Sequence, residues 1–156
     1  MSDPKRVVLG VVVLVVALLL FERWHLSDEE RVEAAWDDLC AAMADEAPAQ
    51  MRARLHEDMT YSGPRPVGEG DQAEAMVALA GYWDQVDRVA VITRKNEIKV
   101  QGHVATNLAT TVVRFHWGDS PVIYRVRVQV AWAADGDSWR ARDIDILEMT
   151  PGLFGG

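Results

Sequence analysis

Tyr61, Arg114, His116, Arg127, Asp143 and Asp145 are the residues of this 156-residue chain whose types invite chemistry. An arginine beside two carboxylates activates water for hydrolysis, because the cation keeps one acid ionised while the other moves the proton. All six fall in stretches with strand character, yet their spacing matches no catalytic motif. His116, in "VRFHWG" at the end of a strand pattern, reads more simply as a hydrogen-bonded structural histidine. His25, His56 and His103 are scattered, and no HxxxH, HxH or Cys/His grouping marks a metal site. There is no GxGxxG and no Gly-rich loop ending in Lys-Ser/Thr; "VGEGD" puts acids where a phosphate would have to sit, so no cofactor is expected. Cys40 is the single cysteine, which excludes an intramolecular disulfide and a thiolate cluster, and it falls on an apolar helical stripe.

The elements that would position these residues are helices first and strands afterwards. Ser27 and Glu30 have capping-box spacing, with Asp28, Glu29 and Glu30 at the positive end of a helix. Val32, Ala35, Trp36, Leu39, Cys40 and Met43 then form one apolar stripe that runs until Pro48 stops it. A short second helix is predicted from Ala49 to about Glu57, with Met51 and Leu55 inward. A brief strand follows at Met59 to Ser62, then a Gly/Pro-rich turn region, then a third helix capped by Asp71.

From there the period becomes two. "RVAVIT" and "NEIKVQG" read as separate strands, "ATNLATTVVRFHW" as a longer one, and "GDSP" as the turn into "VIYRVRVQVAWAA". Within that last strand Val122, Tyr124, Val126, Val128, Val130 and Trp132 share one face. "DGDS" is a hairpin turn into "WRARDIDILEM", whose phase slips between Ala141 and Ile144; a bulge near Asp143 reconciles the two halves. This order is α+β, with helices covering one face of a curved, mainly antiparallel sheet.

The N-terminal stretch is of another kind. Fifteen uninterrupted apolar residues, Val7 to Phe21, follow Lys5 and Arg6. "LLLFERWHLSDEE" offers bulky and charged residues where a signal peptidase needs small ones, so a cleaved export signal is disfavoured. A helix apolar on every face needs partners all round, which a domain of this size does not provide. The remaining reading is an uncleaved single-pass anchor, residues 1–26, with Val7, Leu14, Leu20 and Phe21 in lipid and Trp24 at the interface. The bilayer is then a partner. Lys5, Arg6 and the terminal amine favour an inside N-terminus, which puts the domain on the periplasmic or extracellular face of a bacterial inner membrane.

Residues 27–150 make up the domain and 151–156 a tail, "PGLFGG". From Trp24 onward 13 Lys and Arg face 22 Asp and Glu, a net charge of −9. Such a surface repels phosphate backbones, so nucleic acid is not an expected partner. Leu153 and Phe154, between glycines, read either as a frayed end or as a peptide that docks on a partner.

The acid-capped long helix, the short helix ending "ARLHEDMTYSGP", the third helix "AEAMVALAGYW" and the closing strands "YRVRVQVAWAADGDSWRARDIDILEM" together resemble the nuclear transport factor 2-like (NTF2-like) superfamily. That group includes ketosteroid isomerase and the SnoaL-like proteins, and the resemblance spans about Ser27 to Thr150. It implies a cone: three helices packed on a strongly bent sheet, with a pocket on the concave face. The residues expected around that pocket are Trp36, Tyr61, Trp83, His116, Tyr124, Arg127 and Asp143.

In the family's isomerases a carboxylate just before a proline on the first strand is the proton-transfer base; "TYSGP" has Gly63 there. Their first-helix tyrosine falls at or near Trp36, which can donate a hydrogen bond but lacks a phenol. These departures argue against isomerase activity. An anchored NTF2-like domain is similar in layout to bacterial secretion-system subunits, and implies a non-enzymatic accessory or scaffold subunit among membrane-protein partners. The alternatives are a tethered binder of a small apolar ligand or lipid, and an isomerase or hydrolase of SnoaL type.

Overall fold

The computed structural model describes residues 4–24 and 26–152. Helix α1 (Pro4–Trp24) leads into α2 (Asp28–Ala44), α3 (Pro48–Ala53) and α4 (Gln72–Gln85). The strands are β1 (Leu55–Gly63), β2 (Gly68–Asp71), β3 (Arg88–Gln101), β4 (Val104–Trp117), β5 (Ser120–Asp135) and β6 (Ser138–Pro151).

Both long domain helices begin as their sequences require. Ser27 accepts from the Glu30 amide while the Glu30 carboxylate accepts from the Ser27 amide, and Asp71 and Glu74 repeat the exchange at α4. Each box satisfies two helix-end donors that would otherwise go unpaired. Pro48 is the first residue of α3, where its missing N–H costs nothing. That helix is shorter than its pattern suggests, because Leu55 already belongs to β1 and is buried there.

The six strands form one sheet in the order β2-β1-β6-β5-β4-β3. Every pairing is antiparallel except β1 with β6. Extra residues in β1, β3 and β6 bend it, the first between the Leu55–Ala141 and Thr60–Asp143 pairs. Arg94 is unmatched between the Thr93–Thr111 and Lys95–Thr110 pairs, so β3 runs unbroken where two strands were predicted. Arg142 is unmatched between Ala141 and Asp143, beside the predicted bulge, and Leu147 makes a second bulge in β6. Each extra residue reverses the side-chain parity and increases the local twist. Trp139 and Ala141 therefore point inward, then Ile144 and Ile146, then Met149, while Leu147 is left 49% exposed.

The concave face packs on α2, whose Val32, Ala35, Trp36, Leu39 and Ala42 are buried against Met59, Ala105, Ala109, Val128, Val130, Trp132 and Trp139. A smaller cluster of Val86, Val89, Val113 and Val126 closes the other end.

Helix α1 stands apart from this core. Its large apolar side chains from Val7 to Phe21 are 48–64% exposed. Among the described residues no helix is long and apolar enough to cross a membrane, so the predicted span is not shown. The uninterrupted apolar run, Val7 to Phe21, rises about 22 Å, against a hydrocarbon core of about 30 Å.

Candidate functional site

The concave face of the sheet is where the fold would hold a ligand, and here it is filled by aromatic side chains whose polar atoms are tied down. Trp132, 1% exposed on β5, donates its indole N–H to Asn107 Oδ1 at 2.7 Å. An indole can only donate, which fixes the Asn107 amide: its Nδ2 turns the other way and donates to Asn96 Oδ1 at 2.8 Å. The chain ends at Asn96 Nδ2, a buried nitrogen without a partner. Trp36, buried on α2, donates to Thr93 Oγ1 at 3.0 Å, and Trp83 on α4 donates to the Met43 carbonyl at 3.2 Å. Met51, Met59 and Met76 fill the gaps between the rings. Among the described residues the polar side chains buried as a whole are Asn107 and Thr111, both neutral, while Arg114 and Arg140 each bury an Nε without a hydrogen-bond partner.

The predicted lining residues divide into two groups. Trp36, Tyr61 and Trp83 meet at the main cluster. Tyr124 belongs to the smaller cluster, edge-on to Phe115 with ring centres 6.1 Å apart. His116 lies at the end of β4, its Nε2 3.3 Å from an Arg88 guanidinium nitrogen. Arg127 and Asp143 are exposed. Strand alternation turns Arg127 to the outer face between the buried Val126 and Val128. Asp143 accepts from the Thr60 hydroxyl at 2.5 Å, and Asp145 from Ser62 at 2.7 Å. Arg127 and the two carboxylates that could have activated water thus lie outside the cone, with the carboxylates engaged by the hydroxyls of β1. Leu153 and Phe154 lie outside the described residues.

Gly63, at the position of the isomerase base, is closed to any side chain. A Cβ there would come within 2.9 Å of Val67 Cγ1 and 3.1 Å of Ile146 Cβ.

Asn107 and Asn96 are the interior residues that sequence reasoning missed. The signal was present: Asn107 sits at the inward parity of "ATNLATT" with Ala105 and Ala109, and a polar residue there must find a buried partner.

An open space lies outside the cone, in the slot between α2 and the edge strand β3. It has a volume of about 430 Å³ and is lined by Asp37, Cys40, Ala41, Ala44, Val91, Ile92 and Thr93. Burial pushes the Cys40 thiol up to about 12, partly opposed by its hydrogen bond with Thr93. Asp37 is also raised, first by burial and then by Asp38 beside it. Among the described residues no group of His, Cys, Asp and Glu is placed to hold a metal ion.

No protein-family model matches the chain, and no curated protein matches it in sequence. Solved structures do match. An NTF2-like protein from Cytophaga hutchinsonii superposes with a TM-score of 0.67 at 11% identity, over 78% of this chain and 98% of that one. A putative scytalone dehydratase from Novosphingobium aromaticivorans gives 0.71 at 12% identity, over 81% and 88%. A hexachlorocyclohexane dehydrochlorinase from Novosphingobium barchaimii gives 0.64 at 10%, over 81% and 90%. At such identities the likeness establishes the architecture: the domain has the NTF2-like fold.

Proposed function

We propose that this chain is a membrane-anchored, non-enzymatic accessory subunit whose NTF2-like domain makes protein contacts within a larger membrane assembly. The filled cone carries the reading. A dehydratase or dehydrochlorinase on this fold needs room for substrate and an acid or base beside it. Here the same volume holds the indoles of Trp36, Trp132 and Trp139, and the polar side chains beside them, Asn96, Asn107, Thr93 and Thr111, are neutral amides and hydroxyls.

Anchoring rests on the exposed apolar surface of α1. A helix without a polar face gains less by lying flat on a membrane than by crossing it, since every flat orientation leaves apolar side chains in water. Burial end-on removes them all. The shortfall against the bilayer core is about 8 Å, which local thinning or snorkelling of flanking side chains makes up at fractions of a kcal/mol per Å. Anchoring confines the domain to two dimensions and raises its effective concentration near other membrane proteins. We place the domain on the periplasmic or extracellular side.

Liposome flotation tests the anchor, and solvent extraction of the floated chain tests the cone. The full chain floats, the chain without Val7 to Phe21 stays at the bottom as a folded domain, and extraction yields no lipid in stoichiometric amount. A full chain that fails to float removes the anchor. One tightly held lipid per chain replaces the scaffold with a ligand carrier.

A further inference from the structure

The slot beside α2 is an open concavity flanked by an unpaired strand edge. β3 is the terminal strand of the sheet, hydrogen-bonded to β4 on one side only, so its other side presents free amides and carbonyls along Val91–Thr93. The facing wall is the α2 stripe Asp37, Cys40, Ala41 and Ala44, at i, i+3, i+4 and i+7. Ala41 and Ala44 are too small to fill the space between helix and strand, which has a volume of about 430 Å³.

Charge distinguishes the two neighbouring acids Asp37 and Asp38 of α2. Asp38 is neutralised by Arg54, whereas Asp37, at the rim of the slot, has no ion pair among the described residues. Partial burial, and then the neighbouring Asp38 charge, raise its proton affinity, and a cation in the slot would oppose both.

We propose that this slot docks an extended segment of a partner protein, which pairs with the free edge of β3, lays a small aliphatic side chain against Ala41 and Ala44, and presents a Lys or Arg to Asp37. Main-chain hydrogen bonds hold the segment, and the slot and the carboxylate select its sequence. The inference rests on the adaptor reading above and gives it a contact surface.

Short random peptides displayed on phage are selected against the full chain in detergent micelles, and enriched sequences are then synthesised with a fluorophore for anisotropy titration. Enriched peptides alternate aliphatic residues with one Lys or Arg, and N-methylation of their strand-pairing amides abolishes binding. Ala41→Trp, a surface change that fills the slot, weakens them about tenfold or more. Asp37→Lys reverses the preference so that a Glu-for-Lys peptide binds better. Circular dichroism reports whether either variant remains folded, and Ala44→Met replaces Ala41→Trp where that one does not.

Selection that enriches nothing overturns the proposal, as do peptides indifferent to both variants. A chain that dimerises through β3, with Ala41→Trp returning it to monomer, overturns it in favour of a second copy as occupant. Failure of the peptide arm while the intact chain still copurifies with membrane proteins removes the slot and leaves the adaptor role intact.

Discussion

Replacing Asn107 by Ala cuts the polar relay that threads the cone. Two hydrogen bonds vanish, Trp132 Nε1 to Asn107 and Asn107 to Asn96, and the indole N–H of Trp132 is left without an acceptor at a site 1% exposed. Each lost bond is worth about 1 kcal/mol net, and the stranded donor brings its own desolvation cost, so the total is about 3 kcal/mol. In a urea titration followed by far-UV circular dichroism, an m-value of about 1.5 kcal/mol/M turns this into a midpoint about 2 M lower with unchanged slope. Trp132→Phe removes the donor from the other side. In that background Asn107→Ala costs less, and the cycle returns a coupling of about 1–2 kcal/mol. A loss under about 1 kcal/mol, or purely additive effects, would refute the buried relay and with it the filled interior.

Gly63→Ala forces a Cβ against Val67 and Ile146 and lowers stability by about 1–3 kcal/mol in the same titration, whereas Gly118→Ala, with nothing within 4 Å, pays only for its left-handed backbone. Asp71→Ala removes a cap and costs about 1 kcal/mol, measured as a shift in thermal midpoint. The Cys40 thiol, raised from 9.0 to about 12, resists iodoacetamide at pH 8 in the folded chain and reacts once the chain is unfolded. Because the folded thiol holds its proton more tightly than the unfolded one, its contribution to stability is full below pH 9 and declines as pH rises through about 12. Cys40→Ser flattens that alkaline limb.

The features legible in the sequence were those written in local chemistry. The capping box of α2 follows from Ser27 with Glu30, the α4 cap from Asp71, whose reciprocal partner Glu74 went unread, and the Arg142 bulge from the parity slip between Ala141 and Ile144. The Leu147 bulge was hidden because an apolar residue there mimics an inward position. Arg94 and Lys95 looked like a loop between two strands, and only the pairing with β4 shows how one extra residue is absorbed. β2, "GEGD", has no strand propensity of its own and exists because β1 offers it an edge. At the site, Trp36, Tyr61 and Trp83 share parities that point to the core. Arg127 and Asp143 were drawn into the pocket by their chemistry, although the alternation of β5 already assigned Arg127 to the outer face.

Gentle detergent extraction of the intact chain from its native membrane, followed by native mass measurement, tests the adaptor role most directly. The account predicts a particle in which this 17.4 kDa chain is accompanied by a second, different membrane protein in fixed ratio. A chain that leaves the membrane without detergent and runs alone contradicts it.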